Sequence, residues 1–244
     1  MQFRYDTKMA DLIHCNYLLL PILDRFNIQL GFGDKTVSEL CEEMGINRDF
    51  FLAIVNSFHD HNYFPQDKLL GFPITLIIEY IQKSHTYYLE LKVPQIETLI
   101  SDLCKEADLS QKKHLVLLEK FFSEYKNELI EHIQDEENDV FPYVLSLNKV
   151  YNTGKVDAEL IKRIQNHPID AYAEKHTNVE EKLYDLKNII IKYLPPARDH
   201  TISSALLTEL FRLERDLNDH ARIEDKVMIP KVRLIEQEIL GRLK

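Results

Sequence analysis

Apolar residues recur at helical spacing along nearly the whole chain, and short runs of turn-forming residues interrupt them at a few places only. Residues 8–29 carry apolar side chains at i, i+3 and i+4 until Leu30-Gly31-Phe32-Gly33-Asp34 breaks the pattern. Thr36 then opens a helix with a capping box, because Glu39 stands where its carboxylate can reach back to the Thr36 backbone. Gly45 closes that helix, and Asn47 caps another that runs to about His59. This predicts a small unit of three helices over residues 1–65, bounded by the proline- and glycine-containing stretch Tyr63–Pro73. Four longer helices follow, over about Ile74–Cys104, Ser110–Leu147, Ile169–Tyr193 and His200–Arg242. Pro94 is expected to kink the first of them, and Pro142 and Pro230 to bend the second and fourth. Asn148–Gly154 reads as a turn-rich break, followed by a short helix near Asp157–Gln165. The expectation is an all-α protein with a helical N-terminal domain over residues 1–65 and a four-helix bundle over 74–244.

Composition narrows what such a bundle can do. Of 244 residues 45% are hydrophobic, enough for a packed core, and only 6 are glycine, which suits helices over a turn-rich sheet. A net charge of −10 argues against a nucleic-acid partner and against an anionic membrane surface, both of which call for clustered Lys and Arg. No apolar run approaches the roughly 20 residues that span a bilayer, and the first residues lack a signal-peptide pattern. Three cysteines, Cys15, Cys41 and Cys104, have no metal-type spacing and read as reduced thiols, so the expected location is cytoplasmic.

The candidate chemistry sits in one phrase that occurs twice. His132-Ile-Gln-Asp-Glu136 precedes Phe141-Pro142, and His220-Ala-Arg-Ile-Glu224 precedes Ile229-Pro230, at matching offsets. Residues four apart on a helix lie one above the other, so an imidazole and a carboxylate can reach a common point. Each phrase also has a histidine upstream: His85 stands 47 residues before His132, and His176 stands 44 before His220. Read as two helical hairpins, the chain would gather four imidazoles and two carboxylates in a bundle core, a stoichiometry for two metals. A single His-x-x-x-Glu pair is commonly a solvated ion pair; repetition of the whole phrase is what carries the reading.

Imidazole and carboxylate without sulfur suit iron, manganese or zinc. If Glu136 and Glu224 both bridge, each ion receives two imidazoles, two carboxylate oxygens and an oxo or hydroxo bridge, which leaves a sixth position open. A redox-capable pair could then bind oxygen, nitric oxide or peroxide, or release iron. A zinc pair would predict hydrolysis, for which the chain offers no nucleophile. Of the other candidates, His114 lies roughly five turns before His132 on the same helix, too far to share a metal unless the helix breaks. His14, His59, His61, His167 and His200 read as structural or exposed, Glu180 could compete as a carboxylate, and Tyr88 is placed to support His85.

The two phrases resemble the signatures of hemerythrin-like di-iron proteins of the repair-of-iron-centres family, the ScdA type, which run His-x-x-x-Glu-Glu-x-x-Leu-Phe-Pro and His-x-x-x-Glu-Asn-x-x-Leu-Phe-Pro. Here they read His132-Ile-Gln-Asp-Glu-Glu-Asn-Asp-Val-Phe-Pro142 and His220-Ala-Arg-Ile-Glu-Asp-Lys-Val-Met-Ile-Pro230. The resemblance implies a hemerythrin-like antiparallel four-helix bundle with two iron ions in an oxo- or hydroxo-bridged centre, held by His85, His132, Glu136, His176, His220 and Glu224. It extends to the N-terminal unit, where relatives carry a Cys-Cys-Gly-Gly turn and this chain has Leu30-Gly31-Phe32-Gly33; the paired cysteines are absent. Relatives often have glycine where Glu180 stands, so a larger side chain here could narrow access to the metals. The implied function is stress-response repair, giving iron to damaged iron-sulfur proteins or handling nitric oxide or oxygen at the centre, as a metal-binding protein in preference to an enzyme. A homodimer is compatible with the family.

Two other functions compete. Residues 36–58 can be read as a helix-turn-helix, which would make the protein a metal-linked regulator. Against this, residues 1–80 hold 6 Lys and Arg and 11 Asp and Glu, the wrong sign for DNA. The third possibility is an oxygen-binding or iron-storing bundle without a partner.

Overall fold

Proline sets the rhythm of the long helices. The computed structural model describes residues 2–106, 112–155, 157–174, 180–194 and 200–242. Each of the four bundle helices contains one turn of π-helix, at Tyr87–Lys92, Glu136–Val140, Ile189–Tyr193 and Glu224–Met228. Each such turn is closed by a bond that skips five residues: the amides of Val93, Phe141, Leu194 and Ile229 donate to the carbonyls of Tyr88, Glu136, Ile189 and Glu224. In every case the donor is the residue immediately before a proline. A proline ring in a helix collides with the carbonyl four residues back, and for Pro94, Pro142 and Pro230 that carbonyl lies inside the widened turn. The helices therefore continue through their prolines, as residues 74–106, 112–153 and 201–241.

The second bundle helix extends beyond the expected end at Leu147 to Thr153. Leu147 and Val150 keep the apolar face buried, and Gly154 at φ 68° supplies the left-handed cap that stops it. Two other predicted helices are divided. The segment 8–29 forms Met9–Cys15 and Leu20–Arg25, because Pro21 is tolerated only in a first turn and Asn16 adopts an extended conformation ahead of it. The third bundle helix begins with a separate five-residue piece, Ile169–Ala173, that ends at Glu174, and is described again as helix from Glu180 through Tyr193. The other local expectations hold: Thr36 and Glu39 form the capping box, Gly45 takes φ 65°, Asn47 caps Arg48–His59, and the expected short helix spans Ala158–Asn166, where the structure adds an Asp157 cap.

The four long helices pack as an antiparallel bundle. Val93–Glu106 lies against both Lys112–Asp135 and Thr201–Ile223, and Glu180–Asn188 closes the ring by contacting the same two. Their buried apolar residues fall into two clusters. One contains Tyr88, Ile96, Leu118, Ile133, Leu206 and Leu217. The other joins the opposite end of the bundle, with Ile81, Phe141, Val144, Ile223 and Val232, to the N-terminal helices through Met9, Leu23, Phe51 and Ile54. Between the clusters lies a layer of polar side chains.

Candidate metal centre

His85 is the last residue but one of the first straight run of its helix, Ile74–Thr86, just ahead of the π turn, while Glu136 and Glu224 each begin a π turn. His220 sits one turn before Glu224. The bundle brings these four side chains together: ligand atoms of His85, Glu136, His220 and Glu224 all lie within 4.8 Å of one another, and all four residues are buried. His85 Nε2 approaches Glu136 Oε2 to 3.0 Å, and His220 Nε2 approaches Glu224 Oε1 to 2.8 Å. His132 stands at the edge, partly exposed, with Nε2 3.7 Å from Glu136 Oε1. His176 lies outside the described residues, as does the side chain of Glu180.

A second set of groups fixes the first. Nδ1–H of His85 donates to Glu137 Oε1 at 2.8 Å, and Gln82 Nε2 donates to the other oxygen of Glu137 at 2.7 Å. Phe141 stacks on the opposite side, with ring centroids 5.7 Å apart and planes 11° from parallel. The hydroxyl of Tyr172 donates to Glu136 Oε1. Tyr88 meets His220, not His85, in an edge-to-face contact at 5.5 Å, and its hydroxyl donates to Asp216 Oδ1 at 2.9 Å. The expected support of His85 by Tyr88 is thus corrected: the aromatic residue three positions on points toward the fourth helix, and Glu137 performs the task.

The electrostatics favour a cation in this layer. Burial works against a charge on His85, yet the carboxylates of Glu136, Glu137 and Glu224 outweigh it and push its pKa up to about 9. His85 Nε2 and Glu136 Oε2 lie 3.0 Å apart. Buried carboxylates and imidazoles converging without sulfur are a donor set for iron or another first-row metal, and the residues present fit such an ion.

The remaining histidines stay outside. His59 packs on Phe3 at 4.5 Å, His61 lies at the surface 3.4 Å from Asp219, His14, His167 and His200 are exposed, and His114 is far along the second bundle helix from His132. Glu137, Asp216 and Tyr172 escaped the sequence reading, although each stands one or four positions from a candidate ligand on the same stretch of chain. Arg25, which holds Asp216, carries no local sign of its role.

The family model described as the hemerythrin HHE cation binding domain matches residues 94–232, an interval that contains every candidate ligand except His85. The chain is also similar to the iron-sulfur cluster repair protein ScdA of Staphylococcus haemolyticus (strain JCSC1435), with 22% identity over 202 residues, 82% of this chain and 85% of that protein.

Proposed function

Because the chain belongs to the hemerythrin family of HHE cation-binding domains, we propose that it carries two iron ions and supplies iron to damaged iron-sulfur proteins. The observation that carries this reading is the convergence of two buried imidazoles and two buried carboxylates within 4.8 Å, between two apolar clusters. Similarity to a protein named for iron-sulfur cluster repair supplies the direction of the chemistry.

The ligands in this reading are His85, His132, Glu136, His176, His220 and Glu224. Bound iron would supply one-electron chemistry at each ion and a stock of transferable metal. The chain's own residues determine how the ions are held and reached. Glu137 and Gln82 keep Nε2 of His85 aimed inward by occupying Nδ1. Tyr172 occupies one oxygen of Glu136 and so directs how that carboxylate presents itself. Phe141 and Tyr88 pack on the imidazole rings and exclude water from them. His132, the most exposed of the described ligands, marks the side from which an ion or small molecule such as oxygen or nitric oxide would arrive.

A regulatory reading finds less support. The helix Arg48–His59, which would have to enter a DNA groove, buries Phe50, Phe51, Ala53, Ile54, Val55, Asn56, Ser57 and Phe58.

Metal analysis after anaerobic loading with iron tests the proposal, followed by transfer to an apo iron-sulfur protein. Two irons per chain and reconstitution of a cluster are expected. His132→Ala and Glu224→Ala should each lower the iron content to one equivalent or less, whereas His114→Ala and His59→Ala should leave it unchanged. Full occupancy in His132→Ala would remove that residue from the ligand set, and reversible oxygen binding without transfer would make the protein a carrier.

A further inference from the structure

Two imidazoles at the heart of the layer are held by different devices. His85 has the usual one, a carboxylate on its second nitrogen. The corresponding Nδ1 of His220 is buried and has no hydrogen-bond partner among the described residues. Two rings meet that of His220: His85 itself, tilted at a centroid distance of 5.1 Å, and, edge to face at 5.5 Å, Tyr88, which is fully buried and comes from outside the ligand set.

Tyr88 is held in turn. Its hydroxyl donates to Asp216, which lies one helical turn before His220 on the same helix. The two oxygens of Asp216 accept from Nη2 of Arg25 at 2.7 and 2.8 Å, and Nη1 of Arg25 donates to the Tyr80 hydroxyl at 3.2 Å. Arg25 is the last residue of the N-terminal helix Leu20–Arg25, and its guanidinium lies buried 5.1–5.8 Å from the rings of Phe58, Tyr80, Tyr87 and Tyr88. A buried ion pair that only tied this helix to the bundle would be an expensive tie, since apolar residues of the same size commonly do as well. Here the paired carboxylate also takes the hydroxyl of the ring that sets His220.

We infer that Arg25, acting through Asp216 and Tyr88, is a positioning residue for the metal-binding imidazole of His220, so that the N-terminal helices govern how firmly one of two metal positions is held. The inference rests on the di-iron reading and adds that the two positions depend on different parts of the chain: one on Glu137 within the bundle, the other on Arg25 outside it.

The test uses the full chain loaded anaerobically with ferrous iron and then passed, at a temperature well below unfolding, through a buffer containing a ferrous chelator. Iron retained is compared among wild type, Arg25→Met, Tyr88→Phe and Leu103→Ala, the last being a core truncation in the same apolar cluster as Tyr88 but 15 residues further along the chain. Wild type and Leu103→Ala should retain two equivalents. Arg25→Met and Tyr88→Phe should each retain about one, the other being lost about tenfold faster than from wild type, and their combination should be no worse than either alone. Tyr88→Phe removes a single hydroxyl, so it decides the matter even if Arg25→Met fails to fold. Retention of both irons by Tyr88→Phe, loss of both, or an equal loss from Leu103→Ala would overturn the inference. A wild-type chain that retains no iron would overturn the di-iron reading with it.

Discussion

Glu136 and Glu224 are each fully buried, and a carboxylate out of water needs a cation or several donors to hold its charge. In this layer His85 can supply that charge, as its raised pKa indicates. The same residue depends on a neighbour outside the repeated pattern of ligands. Glu137→Gln would replace the charged acceptor of the His85 Nδ1–H by a neutral one. Loss of a partner of this kind lowers metal affinity by about 10- to 100-fold. Competition against a chelator of known affinity would measure it, and an unchanged affinity would mean that Gln82 and Phe141 suffice to aim the ring.

At the scale of elements, the π turns explain why glutamate and proline keep the same separation in both phrases. The glutamate carbonyl accepts from the amide just before the proline, and the widened turn gives the ring room. The spacing is therefore a backbone solution as much as a chemical one. A second element is placed by a buried carboxyl. Glu236 accepts from the Tyr143 hydroxyl and from the amide of Ile169, the first residue of the short helix that carries Tyr172 to Glu136. Burial raises the Glu236 pKa, only partly offset by those two hydrogen bonds. A raised carboxyl pKa adds stability that is complete below the unfolded value of about 4.3 and fades as pH rises through the folded value. Glu236→Gln keeps the accepting oxygen and removes the titration. It should flatten the rise of melting temperature toward acid pH and raise that temperature at pH 7; a curve parallel to wild type would show that Glu236 is not titrating there.

For the whole molecule, the N-terminal helices and the near end of the bundle share one apolar cluster, reinforced by the pairing of Arg25 with Asp216 of the bundle. Residues that share a core lose their packing together. Calorimetry should therefore show one unfolding transition for the chain, whereas two transitions, one assignable to residues 1–65, would mean that the shared cluster couples them weakly. No helix among the described residues is long and apolar enough to cross a membrane.

Sequence alone determined what local physics determines. Helical periodicity, the Thr36–Glu39 capping box, the Asn47 cap and the Gly45 stop are contacts within one turn, and the twofold phrase marked His132, Glu136, His220 and Glu224 because a helix places residues four apart on one face. The passage of three helices through their prolines was expected, but the π turns that permit it were not, and the breaks at Pro21 and Glu174 were less legible, since the same residue can end a helix, start one or follow a π turn. Only the tertiary structure decided which groups aim the ligands. Arg25 and Asp216 are 191 residues apart, and His85 and Glu137 are 52 apart. Such pairs leave no periodic trace, because they depend on which helix faces are brought together.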